Sequence, residues 1–145
     1  MKIKEFTKKH RDTLEELEVE IIYLFGSQAT GTTNSSSDAD FGVVLKDIRK
    51  YHEQPMKSYL AIYDILLDVL PKEYLRQRMK MRAHEFDVVF LQESSSRMKY
   101  KVAEEGIVLY QASNLAVCNF KEQAMSDYFD FKYFEQLQNK AFLNI

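Results

Sequence analysis

The sequence predicts an α/β (α+β) domain, a mixed sheet of three or four strands flanked by helices. Three observations predict it. Short apolar runs end at glycine or at a polar loop, as buried strands do. Between them lie longer stretches whose apolar residues recur at helical spacing. Only four glycines and two prolines punctuate 145 residues, so regular elements are long and loops few.

The elements follow in order. Residues 4–18 read as a charged amphipathic helix with Phe6, Leu14 and Leu17 as its apolar positions. Residues 21–25 are a continuous apolar run that stops at Gly26, which suits a buried strand. A loop of Gly, Thr, Asn and Ser spans residues 31–37, and residues 39–45 form a second strand. Residues 56–70 carry Leu60, Tyr63, Leu66, Leu67 and Leu70 at helical spacing; Pro71 interrupts, and residues 72–82 make a further charged helix. Residues 86–91 alternate, with Phe86, Val88 and Phe90 on one face and Asp87, Val89 and Leu91 on the other. Residues 94–105 form a helix capped by Ser94, Ser95 or Ser96 and stopped by Gly106. A short edge strand covers 107–110, and one long terminal helix covers 115–140. The whole, residues 1–145, reads as a single domain.

Charge and composition exclude several classes. Twenty basic residues stand against 22 acidic ones, so direct nucleic-acid binding through overall charge is not expected. A lone cysteine, Cys118, rules out an internal disulfide and a cysteine-rich zinc site, and reads as a packing residue. The start of the chain has no secretory signal pattern and no run is long enough for a membrane helix, so a cytoplasmic protein is expected.

The chemistry concentrates in one stretch. Gly26 lets backbone approach a ligand, and Ser27 opens a turn whose N–H groups favour phosphate. Asp38 and Asp40, two apart, leave one face of the second strand. Two carboxylates about 5 Å apart repel by roughly 3 kcal/mol at an effective dielectric near 20, and a divalent cation removes that repulsion. Oxygen donors without His or Cys favour Mg²⁺ or Mn²⁺. Asp87 sits in an apolar strand and, if buried, needs a partner. Placed beside the second strand, it completes a three-carboxylate metal cluster and can help deprotonate an attacking hydroxyl.

Gly26-Ser27, ten intervening residues, Asp38-Ala39-Asp40 and the later Asp87 resemble the nucleotidyltransferase superfamily that includes DNA polymerase beta. Within it, the motif regions 24–31, 37–44, 86–91 and 100–110 resemble the minimal nucleotidyltransferase (MNT) antitoxins of HEPN–MNT toxin–antitoxin pairs. The resemblance implies an antitoxin that uses ATP and Mg²⁺ to place AMP on a tyrosine of a HEPN ribonuclease toxin, with which it forms a hetero-oligomer. It implies Asp38, Asp40 and Asp87 as catalytic metal ligands and Gly26 and Ser27 as the triphosphate contact. Thr30 departs from the arginine that many members carry there. Two rivals remain: an antitoxin acting by steric covering alone, and a small-molecule nucleotidyltransferase of the aminoglycoside type.

Other features are less specific. Arg76, Arg78, Lys80 and Arg82 read as a solvated helix face or as a contact for RNA, triphosphate or an acidic partner. His10, His52 and His84 are scattered. The terminal helix carries one apolar stripe through Val117, Phe120, Ala124, Tyr128 and Phe131 and a second through Met125, Phe129, Tyr133, Phe134 and Leu137. One face can pack on the domain; the second suits a partner surface.

Overall fold

A computed structural model describes residues 1–30 and 38–143. The elements run α1 (Lys8–Glu16), β1 (Val19–Phe25), α2 (Ser27–Thr30), β2 (Ala39–Leu45), α3 (Ile48–Glu53), α4 (Pro55–Val69), α5 (Lys72–Lys80), β3 (Phe86–Phe90), a 3-10 turn (Leu91–Glu93), α6 (Ser96–Glu105), β4 (Ile107–Gln111) and α7 (Ala116–Leu143). The expected loop at 31–37 lies outside the described residues.

The sheet has the order β3-β2-β1-β4, mixed as expected: β1 is antiparallel to β2 and to β4, and β2 is parallel to β3. The antiparallel β1–β2 pair is joined through α2 and the residues after it. The parallel pair needs a crossover, which α3, α4 and α5 supply.

Strand alternation divides the core in two. Ile22 and Leu24 of β1, Phe41 and Val43 of β2, and Phe86 and Phe90 of β3 pack with Leu14 of α1 and Ile62, Leu66 and Val69 of α4. Ile21, Tyr23 and Val44 face the other way, with Leu91, Val102 of α6 and Ala116 of α7. Leu91 lies over Gly42, where an added Cβ would meet its side chain at 3.1 Å. One group in this second layer is left without a partner among the described residues: the Tyr23 hydroxyl. Burial pushes its pKa up to about 12.

Helix limits follow their caps. The first helix starts at Lys8, later than residue 4, because Thr7 caps it: its hydroxyl accepts from the His10 N–H, and His10 returns the bond to the Thr7 N–H. Residues before it lie outside any helix or strand, and the Lys4 N–H donates to the Val69 carbonyl at 2.9 Å. Helix α3 is absent from the sequence reading; Asp47 caps it by accepting from the Arg49 N–H at 2.9 Å. Ser95 caps α6.

The last helix reaches further than its support. Its 28 residues span about 42 Å, whereas the ten residues of α6, its main neighbour, span about 15 Å. Ala116 and Ala124 are buried and Tyr128 stacks on Tyr100 of α6, with ring centroids 4.4 Å apart. Beyond that stack, Phe129, Phe131, Tyr133, Phe134, Leu137 and Phe142 are all exposed. Among the described residues no helix is long and apolar enough to cross a membrane.

Candidate active site

Three strand ends meet at one place. Phe25, the last residue of β1, faces Asp40 across the antiparallel ladder, and Asp40 faces Asp87 across the parallel one. In-register neighbours on adjacent strands lie about 4.8 Å apart and point to the same face. The pairing expected of Asp40 and Asp87 is therefore a direct product of sheet register.

Gly26 follows Phe25 with φ +79°, in the left-handed region. A Cβ there would lie 2.5 Å from Asp40 Oδ2. Backbone conformation thus favours glycine here, and any Cβ would also push the Asp40 carboxylate from its place. Ser27 opens α2, the expected turn, and the Ala29 N–H donates to the Gly26 carbonyl at 3.1 Å. The side chain of Thr30 lies outside the described residues.

The electrostatics are those of crowded anions. Burial first, then the charges of Asp87 and Asp38, raise the Asp40 pKa above its ordinary value. Its two neighbours each hold a cationic or potentially cationic partner. Asp38 forms an ion pair with Arg78. Asp87 lies 3.3 Å from His84 Nε2, with both side chains about half exposed at 53% and 54%. Asp87 therefore does not incur the burial cost expected from its apolar strand, because β3 is an edge strand and water reaches its outer end.

The structure brings Asp40 and Asp87 side by side and sets Asp38 within their field, but turns Asp38 toward Arg78. Among the described residues no three His, Cys, Asp or Glu side chains converge as a ligand group. The donor set nevertheless fits a hard divalent cation. It consists of carboxylate oxygens only, and burial together with the charges of Asp87 and Asp38 raises the Asp40 pKa, an effect that a cation would offset.

Sequence reading missed the residues behind the carboxylates. Arg78 is neither a solvated charge nor a surface contact: it is 2% exposed, unlike Arg76, Lys80 and Arg82 around it. Besides pairing with Asp38, its Nε donates to the His84 carbonyl at 2.9 Å, and its guanidinium lies 5.8 Å from the Tyr74 ring centroid. Tyr74 accepts from the Ala39 N–H at 2.9 Å and donates to the Glu85 carbonyl at 2.7 Å. A signal existed. Arg78 is three residues after Leu75 and four after Tyr74, which places it on the apolar face of α5.

The remaining candidates lie elsewhere. His10 pairs with Asp68 and His52 with Glu93, both away from the carboxylates. Cys118, expected to pack, is exposed on the first turn of α7, where Ala116 and Val117 take the inward positions.

Comparison with known proteins agrees with this layout. The family model described as polymerase beta, nucleotidyltransferase, matches residues 1–115. The protein adenylyltransferase MntA of Aphanizomenon flos-aquae (strain 2012/KM1/D3) is 28% identical over 118 residues, which cover 81% of this chain and 74% of that protein. A crystal structure of a toxin–antitoxin with AMP-PNP superposes with TM-score 0.58 at 20% identity, covering 93% of this chain and 96% of the other. A structure of tri-AMPylated Shewanella oneidensis HEPN toxin in complex with MNT antitoxin superposes with TM-score 0.50 at 16% identity, covering 94% and 98%. At such identities the structural likenesses establish the fold.

Proposed function

The chain belongs to the polymerase beta nucleotidyltransferase family, and from that premise we propose that it is an MNT-type antitoxin that transfers AMP from ATP to a tyrosine of a HEPN-family toxin and so neutralises it. The observation that carries the reading is the in-register pair Asp40–Asp87 beneath the Gly26 turn. The similarity to an adenylyltransferase along most of the chain supports AMP as the transferred group.

Asp38, Asp40 and Asp87 would hold Mg²⁺ or Mn²⁺, which when bound supplies charge neutralisation for the triphosphate and the developing negative charge. The Gly26–Ser27 turn holds the triphosphate, with backbone brought close because no Cβ intervenes. Asp87, half exposed at the open edge of the sheet, is the carboxylate that an acceptor reaches. It takes the proton of the tyrosine hydroxyl as that oxygen attacks the α-phosphorus. The new bond joins tyrosine oxygen to phosphorus; the bond to the bridging oxygen breaks, and pyrophosphate leaves.

The acceptor is a protein. The exposed apolar face of α7, from Phe129 onward, is the surface a protein partner would cover. The same face favours a second reading, neutralisation by covering alone. Incubation of the chain with radiolabelled ATP, Mn²⁺ and the candidate toxin, beside a chain carrying Asp38→Asn and Asp40→Asn, separates the two. Label on the toxin only with the unaltered chain, together with lost neutralisation by the variant, is expected. Full neutralisation by the variant would favour covering.

A further inference from the structure

The parallel ladder that aligns the two strands begins at Ala39 and Phe86. Asp38, His84 and Glu85 stand just outside it, so the ladder itself does not fix Asp38 relative to the start of β3. Strand ends without ladder bonds fray, and a carboxylate carried on one drifts with it.

One helix face spans this gap. Tyr74 links the Ala39 N–H to the Glu85 carbonyl, and Arg78, one turn on, links the Asp38 carboxylate to the His84 carbonyl. Two residues four apart on α5 thus make the same kind of bridge, from the start of β2 to the segment entering β3. The Asp38–Arg78 pair is lopsided: the Arg78 side chain is 3% exposed and that of Asp38 43% exposed. The guanidinium is the fixed, enclosed member, and the carboxylate is the one that solvent reaches. A buried guanidinium with a planar fork can orient a carboxylate while leaving it able to ligate from its other side.

We propose that Arg78 and Tyr74 are positioning residues: α5 clamps the starts of β2 and β3 and keeps Asp38 beside Asp40 and Asp87, from where it can join them around a divalent cation. This rests on the metal-site reading above. Neither residue touches the reacting atoms in this account, and both act through the placement of Asp38.

The test is a Mn²⁺ titration of the full chain by water-proton relaxation, with a non-hydrolysable ATP analogue present, on unaltered protein, Arg78→Met, Arg78→Lys and Tyr74→Phe. Losing the partner of a ligating carboxylate weakens metal binding about 10- to 100-fold, the loss expected for Arg78→Met. One lost hydrogen bond corresponds to about five-fold, and Tyr74→Phe removes two, so a loss of roughly 5- to 25-fold is expected for it. Arg78→Lys restores only part of the affinity, since an ammonium lacks the fork. In AMP transfer the Mn²⁺ concentration for half-maximal rate rises in parallel, while kcat at saturating Mn²⁺ stays near that of the unaltered chain. Circular dichroism melts show which variants fold; if Arg78→Met does not, Tyr74→Phe decides. Unchanged or tighter Mn²⁺ binding in the folded variants would overturn the clamp. An unaltered chain that takes up no Mn²⁺ would overturn instead the metal-site reading beneath it.

Discussion

At the scale of single residues, the site trades stability for charge. The folded-state pKa of Asp40 is raised, chiefly by burial and then by Asp87 and Asp38. The sign follows. Below the unfolded-state value Asp40 is protonated in both states and costs nothing. As pH rises through the folded-state value, folding must bear an ionised, crowded carboxylate. Asp40→Asn should therefore raise the melting temperature at pH 7 in EDTA, with a gain that shrinks toward zero as pH falls below about 4. Differential scanning fluorimetry across that range checks it, and the same variant should lose AMP transfer. Gly26→Ala should instead lower the melting temperature, and it should lower AMP transfer as well. A left-handed non-glycine residue costs roughly 1–2 kcal/mol, and the new Cβ would lie 2.5 Å from Asp40 Oδ2. Displacement of a reacting-site group by about 1 Å lowers rates on the order of 100-fold. The activity loss should exceed what the stability loss explains, measured as kcat at a temperature where the variant is folded.

At the scale of elements, the sheet layers make their own predictions. Tyr23 Oη is buried between β1 and α7 with no hydrogen-bond partner among the described residues. An unsatisfied buried hydroxyl costs about 1–3 kcal/mol, so Tyr23→Phe should raise the urea midpoint. Loss of stability would show that the hydroxyl has a partner, such as bound water. Ala124 is 1% exposed where α7 meets α6. Ala124→Leu should destabilise by about 1–3 kcal/mol through overpacking. The strands were the most legible elements: the run 39–45 and the alternation of Phe86, Asp87 and Val88 mark both strands in the sequence alone, while the pairing of Asp40 with Asp87 depends on the register of β2 on β3. Helix α3 was not legible, because its six residues are too few for a periodic pattern and only the Asp47 cap marks it. The burial of Arg78 was hidden by the charges on either side of it. A run of basic residues says nothing of which one turns inward until Tyr74 and Leu75 are used to find the apolar face.

At the scale of the whole molecule, sheet order decides what the site can do. The middle strands β2 and β1 bring the second carboxylate and the glycine turn together, while edge strand β3 leaves Asp87 open to an acceptor. The long helix α7 extends past α6 and presents aromatic side chains at a distance from the carboxylates. Those exposed aromatic side chains make a protein bound on that helix the economical source of the attacking hydroxyl. Phe134→Asp, at a side chain 58% exposed, should leave stability within about 0.5 kcal/mol. It should nevertheless weaken the complex with the toxin, read by size-exclusion chromatography with light scattering. The proposed transfer of AMP to a partner tyrosine requires Asp40 and Asp87 beneath the Gly26 turn. Mass spectrometry of the toxin after incubation with ATP, Mn²⁺ and either the unaltered chain or Asp40→Asn tests it most directly. AMP on a toxin tyrosine with the unaltered chain, and none with the variant, is the predicted result; an unmodified toxin, or equal modification by both chains, would contradict it.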